Sequence, residues 1–535
     1  MRASNLLIST MENDVKNLLD HHGVSRRGVL KGATALGAAS LITPWGGAAR
    51  AQPKRGGVLR LGNSHGSTTD SLDPGTWEND FTIFLAHTRN NYLTEIAADG
   101  SLVPELAESW EASPDARVWT FTIRSGVEFH SGHVLKPEDV VASINHHLGE
   151  ESTSAAKPIV EGITDMKVDG QNVIFTLNAG NADFPFVLSD YHLPILPAGA
   201  DGKIDPMTTD GCGPYAIKEL EFGIGARLER HEGYWKPDAA YFDAVEFNVI
   251  HDAAARQNAL ISGELDYIQA PDLNTAHLLK RTPNIELLAI TGTQHYGLPM
   301  NTKEAPFSDN NVRQALKYAI DREQLVQTVL NGFGQVGNDH PIGPGQRFFN
   351  TELEQKTFDP DKAKYYLSQS GLDSLSVQLH LADAAFAGAV DAGVLFAETA
   401  AKAGITVEVV REPNDGYWSN VWMKKGFVGT YWGGRPTEDW MFATAYSEGA
   451  AWNESFWSNE RFNELLVTAR AELNDDLRRD MYFEMQDLVA NQGGTIIPMF
   501  AAYVSAHTSS LVHGDQIASN WANDGHRLAE RWWFA

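Results

Sequence analysis

The chain has 535 residues, with 42 Lys and Arg against 69 Asp and Glu, a formal charge of −27, and one cysteine, Cys212. A surface this acidic repels phosphate, and no basic patch or stripe offsets it, which sets nucleic-acid binding aside. A lone cysteine excludes an intramolecular disulfide and supplies no thiolate set for zinc or an iron–sulfur cluster, and no cofactor is expected.

The N-terminus carries Ser25-Arg26-Arg27-Gly28-Val29-Leu30-Lys31, a twin-arginine export pattern with Val29 where Phe is more usual. A weakly apolar stretch, 32–42, follows it, and then Ala49-Arg50-Ala51, a small-x-small site of the kind signal peptidase cuts. A membrane helix needs about 20 apolar residues, whereas this run is rich in Gly, Ala, Ser and Thr and is broken by Pro44. Cleavage after Ala51 is expected, leaving a periplasmic protein free in solution. Residues 1–51 hold six of the Lys and Arg and three of the Asp and Glu, so the mature chain has 36 against 66. Its length calls for two or three domains. No repeat and no long Gly, Ser or Pro linker separates them, so they are expected to interleave.

Taken in order, 57–61 reads as a strand, and Trp119-Thr120-Phe121-Thr122-Ile123 and Val173-Ile174-Phe175-Thr176-Leu177 alternate as half-exposed antiparallel strands. A helix is expected over 308–330, with Val312, Ala315, Leu316 and Ala319 on one face. Asp359, Pro360 and Gly371 bracket another. Val377, Leu379 and Leu381 alternate, 387–403 suits a helix ended by Gly404, and Ile405, Val407 and Val409 alternate again, which makes a β-α-β unit with a parallel pair. A further run, 461–491, has Leu477, Met481, Met485, Leu488 and Val489 at helical spacing. The class is mixed α/β.

Leu102-Val103-Pro104-Glu105-Leu106-Ala107-Glu108-Ser109-Trp110, the segment 119–132 and Pro137-Glu138-Asp139-Val140 form a first set of blocks. Gly211-Cys212-Gly213-Pro214-Tyr215 follows, then Gly233-Tyr234-Trp235, Ala259-Leu260-Ile261-Ser262-Gly263-Glu264-Leu265-Asp266, and 301–321 with Val312-Arg313-Gln314-Ala315-Leu316. In this order the blocks resemble the family 5 extracellular solute-binding proteins, the peptide and nickel group, with Cys212 in the usual Thr place. The resemblance implies a two-lobed periplasmic binding protein of type II with an extra domain, closing on its ligand about a hinge. It implies a first lobe built from 52–103, 210–293 and 498–535, an extra domain over 104–209, and a second lobe over 294–497. The implied function is capture of a peptide or peptide-like solute for the permease and ATPase subunits of an ABC importer, by a monomer that is not an enzyme.

The densest aromatic and polar cluster is 427–440, with Trp418 and Trp422 upstream and Trp452 downstream. Tyr296 lies on the strand that, by resemblance, crosses between lobes. Aromatic faces offer apolar area at small entropic cost and an Arg can hold a carboxylate, so Tyr296, Trp418, Tyr431, Trp432, Arg435, Asp439, Trp440 and Trp452 are the candidate ligand contacts. An ion pair of Arg435 with Glu438 or Asp439, and burial of the Trp residues in a core, are the competing structural roles. By resemblance, dipeptide binders hold the α-amino group with an Asp at the place of Gly434, and the carboxylate with an Arg in the helix at 386–402. That helix has no Arg here, though Asp391 lies near the place. The ligand is therefore open among a peptide, an opine-like amino-acid conjugate and a metal chelate, for which His130, His133, His146 and His147 are weak ligand candidates. Gly62-Asn63-Ser64-His65-Gly66 matches the hydrolase elbow pattern, but turn residues follow where that elbow needs a helix, which makes an exported serine hydrolase the distant alternative.

Overall fold

The computed structural model describes residues 53–535, so the arginine pair, the apolar stretch and Ala49-Arg50-Ala51 lie outside the described residues. The first strand, Val58–Asn63, pairs in parallel with Ala244–Val249 on one side and Tyr267–Gln269 on the other. Flanked on both edges, it buries Leu59 and Leu61 completely. Gly225–Arg230 and Tyr215–Glu221 extend the sheet antiparallel. The other side of the sheet is built on two long antiparallel strands, Ile285–Pro299 and Thr495–Thr508.

These two strands join the part of the sheet around Val58–Asn63, called the first lobe below, to the part of the chain around Leu375–Leu381, called the second. At one end Thr495–Thr508 pairs with Tyr267–Gln269, inside the first lobe. At the other end Ile285–Pro299 pairs with Thr430–Trp432, and Thr495–Thr508 pairs with Gly334–Val336. Their ladder is interrupted between Thr291 and His295. Gly292 sits in that gap, where any Cβ would overlap the Tyr503 ring. The register shifts again between Tyr296 and Leu298, and a connection of two paired strands with such interruptions allows bending there.

The three largest apolar cores among the described residues follow from this layout. One packs Leu59, Phe84, Phe247 and Trp532 under the first lobe. A second fills a separate antiparallel sheet of four strands, Ala107–Ala112, Val118–Ile123, Asn172–Leu177 and Ile163–Asp169. There Trp119, Phe121 and Ile123 point inward while Thr120 and Thr122 stay half-buried, as their alternation dictates. The third packs Leu316, Leu379, Phe396 and Phe427 in the second lobe.

The β-α-β unit is present as Leu375–Leu381, Ala389–Ala401 and Ile405–Arg411, with the strands in parallel register from Leu375↔Ile405 to Leu381↔Arg411. Two expected long helices are each broken. The run 308–330 divides into Asn310–Tyr318 and Arg322–Val329, because the Asp321 side chain accepts from Gln324 N and starts a new helix. The run 461–491 divides into Glu460–Ala471 and Asp475–Gln492, where Asn474 accepts from the backbone of Asp476 and Leu477. In both places a capping side chain outcompetes continuation of the apolar period. No helix among the described residues is long and apolar enough to cross a membrane.

Candidate ligand-binding cleft

The edge strand Thr430–Trp432 organises the second-lobe wall. Tyr431 and Tyr296 are cross-strand partners, and Tyr296 stacks on Phe386 with ring centroids 4.3 Å apart. Trp418 meets Tyr431 edge-on at 5.6 Å and Trp422 at 5.7 Å. Trp418, Tyr431 and Trp452 remain 39, 47 and 47 % exposed, so they form a surface, whereas Trp432 is buried. One carboxylate fixes the indoles behind that surface: Glu454 accepts from Trp422 Nε1 at 2.6 Å and from Trp432 Nε1 at 3.1 Å. Burial raises the Glu454 pKa.

After the strand, Gly434 adopts φ +79 and turns the chain. A Cβ there would overlap Thr293 Oγ1 and Cβ, so Thr293 occupies the space a side chain would need. Arg435 then lies over the Trp432 ring, 5.5 Å from its centroid, and donates from Nη1 to Gly434 O. Neither Glu438 nor Asp439 pairs with it. Burial pulls its pKa down, opposed by Tyr191 and Asp190 of the first lobe. Among the described residues no carboxylate lies within ion-pair distance of this guanidinium. His295 turns into the core, with Nδ1 3.1 Å from Thr293 O and its pKa pushed down to about 4 by burial.

Asp439 and Trp440 are not with the others. Thr437 caps a helix, Glu438–Ala445, and the helical turn carries them to the side facing the extra sheet. There they line a crevice of about 330 Å³ with Arg470 and Phe184. Asp439 accepts from Arg470 Nε at 3.0 and 3.1 Å, and burial pushes its pKa up to about 6. Glu438 accepts from Phe348 N at 2.8 Å, with its pKa raised by burial to about 7.

The first lobe contributes residues that, apart from Ser64, the sequence did not single out. A cavity of about 360 Å³ is lined by Ser64, Asp80, Gln269, Gln294, Tyr503 and Trp521, among others. Asp80 opens the helix Asp80–Arg89 behind its cap Asn79. Trp521 stands 5.9 Å edge-on to Tyr191. Beyond it, Asn523, Asp524, Gly525 and His526 are four successive left-handed residues, a conformation that Asn, Asp and His tolerate better than most side chains. That run of residue types is the one local signal for this side of the cleft. A larger crevice, about 810 Å³, lies between Trp110 and Trp119 of the extra sheet and Arg347 and Arg478. It touches neither the aromatic wall nor Arg435.

The remaining candidates are occupied. His130 Nε2 is 3.0 Å from Gly213 O, His133 Nε2 3.2 Å from Asp139, His146 Nε2 2.7 Å from Asp73, and His147 Nδ1 2.7 Å from Ser154. The clustered carboxylates of Glu95, Glu105 and Glu530 already hold Lys236 and Arg527. Ser64 is followed by a turn in which Ser67 N donates to Asp70, not by a helix.

Residues 101–454 match the family described as "Bacterial extracellular solute-binding proteins, family 5 Middle", and the chain belongs to that family. It is similar to the dipeptide-binding protein of Escherichia coli (strain K12), 28 % identical over 440 residues that cover 74 % of this chain and 80 % of the relative. Among solved structures it is similar to HbpA2 from Haemophilus parasuis, with TM-score 0.78 and 22 % identity over 87 % of this chain and 98 % of that one. It is also similar to the PBP AgaA from A.tumefacien R10 in complex with agropinic acid, with TM-score 0.70 and 24 % identity over 90 % of this chain and 99 % of that one. The fold is the two-lobed periplasmic binding protein fold.

Proposed function

We propose that this chain is the periplasmic substrate-binding component of an ABC importer. It captures a peptide or peptide-like solute between its lobes and delivers it to a membrane permease driven by a separate ATPase. The observation that carries this reading is the second-lobe wall: an edge strand, Thr430–Trp432, beside exposed aromatics and a guanidinium with no carboxylate partner among the described residues. An extended ligand can pair its main chain with a free strand edge, lay apolar groups on Trp418, Tyr431 and Trp452, and give a carboxylate to Arg435. The dipeptide-binding relative supports the same class of cargo.

Closure about the break at Gly292 would expel water and strengthen each polar contact. Capture of this kind involves no covalent step, and a monomer suffices. The same reading assigns 52–103, 210–293 and 498–535 to the first lobe, 104–209 to the extra domain and 294–497 to the second. Export by the twin-arginine signal with cleavage after Ala51 is part of the same reading, and it rests on the sequence pattern of residues 25–51.

An amino-acid conjugate of the opine type is the second reading. Thr293 fills the place where a dipeptide binder, by resemblance, would put its Asp, and the AgaA structure holds agropinic acid. Calorimetry with di- and tripeptides separates the two: tight binding that ignores side chains marks a peptide carrier. No binding of any peptide, with binding of an opine, marks the conjugate.

A further inference from the structure

The first-lobe cavity is floored by a chain of hydrogen bonds. Tyr267 donates from its hydroxyl to Asn523 Oδ1 at 2.8 Å. Asn523 Nδ2 donates to Gln269 Oε1 and to Asp80 Oδ2, both at 3.1 Å, and Gln269 Nε2 donates to Ser64 Oγ at 3.2 Å. Asp80 Oδ1 takes no part in this chain of hydrogen bonds. Its nearest basic atom is His526 Nδ1 at 3.7 Å, beyond hydrogen-bond reach. His526 is buried, and burial lowers its pKa against the opposing pull of Asp80.

No Lys or Arg lies within ion-pair distance of Asp80 among the described residues. The cavity's other carboxylate is spent: Asp524 accepts from Ala518 N at 2.7 Å, Trp532 Nε1 at 3.0 Å and Arg531 Nη1 at 3.1 Å. The walls are the rings of Tyr503, Trp521 and Trp532. Aromatic faces attract cations, and a carboxylate inside such walls is stabilised by a positive partner that also donates hydrogen bonds.

We propose that Asp80 and this aromatic cavity receive a positively charged nitrogen of the solute, an ammonium or a guanidinium. The inference rests on the solute-capture reading above and adds the cargo's charge pattern. The cation enters the first lobe and the anion meets Arg435 in the second, with Tyr191 and Trp521 between the two sites. The polarity of the bound cargo is thereby fixed across the cleft.

The test uses the exported protein, freed of bound solute, and calorimetry with the tripeptide Ala-Lys-Ala and its Nα-acetyl and Nε-acetyl forms. One acetylation should weaken binding about tenfold or more, as expected for losing a charge-assisted hydrogen bond, and should have no further effect in Asp80→Asn. The acetylation that matters tells an α-ammonium from a side-chain ammonium. Equal binding of all three forms by the wild type would overturn the cation site and leave solute capture standing. Binding of none of them would overturn the peptide reading, and the inference that rests on it. If Asp80→Asn does not fold, the wild-type acetylation series decides alone.

Discussion

The Arg435 guanidinium lies 5.5 Å from the centre of the Trp432 ring and pairs with no carboxylate among the described residues, although Glu438 and Asp439 follow within four residues. The helix that begins at Glu438 sends both acids elsewhere, leaving a half-buried positive charge at the end of the aromatic wall. Arg435→Ala should weaken solute binding by more than tenfold, corresponding to about 1.5–3 kcal/mol for a charge-assisted pair. The same variant should keep its melting temperature within a few degrees. Calorimetry beside a thermal melt checks both, and unchanged affinity would remove Arg435 from the site.

Gly434 sits at φ +79 against Thr293, so the position does not accept a side chain. Gly434→Ala should destabilise by about 1–3 kcal/mol through backbone strain and overlap, and Gly434→Asp by at least as much. Removing the obstruction with Thr293→Gly should recover part of the loss in the Gly434→Ala background, since the two sites touch. Urea unfolding of the two singles and the double gives the coupling. Strict additivity would mean that Thr293 is not what excludes the side chain.

Glu454 holds two indoles at once, so Glu454→Ala strands the Trp432 N–H inside the core and frees Trp422. A loss of about 1–3 kcal/mol is expected for the buried donor, together with a changed near-ultraviolet circular dichroism spectrum. A spectrum and stability identical to the wild type would show that packing alone positions the wall.

Burial raises Glu438 to about 7 and Asp439 to about 6. A carboxyl group whose pKa is higher folded than unfolded binds more protons in the native state. The stability it contributes is therefore complete below the unfolded value and is lost as pH rises through the folded one. For Glu438 that window runs from 4.5 to about 7. The buried histidines His87 and His340 titrate with the opposite sign, so the informative quantity is the difference between Glu438→Gln and wild type. Relative to wild type, the variant should gain stability between pH 5 and 8, by roughly 1–3 kcal/mol across the full window. A difference independent of pH would place the Glu438 pKa near its ordinary value.

Sequence patterns gave away the elements whose signals are local. Alternation of Trp119, Phe121 and Ile123, and the Gly404 stop before Ile405, are physical consequences of one face packing and one turn closing, and they appear where expected. The aromatic wall at 418–452 was equally visible, because its residues lie on neighbouring stretches of chain. Asp439 and Trp440 read as part of it only while 427–440 is taken as continuous strand and loop. The Thr437 cap rotates them by a helix's 100° steps toward Arg470. Asp80, Gln269, Tyr503 and Asn523 had no such signal. Each has an ordinary local role, as helix start, strand interior or turn, and only the folding of four distant segments brings them to one cavity.

The claim that this protein carries a solute is tested most directly by native mass spectrometry of the protein purified from its own cells. The account predicts a species heavier than the chain by the mass of one small molecule with both a basic nitrogen and an acidic group, released when the protein is unfolded. A protein that carries nothing, and whose melting temperature no peptide or opine raises, would contradict it.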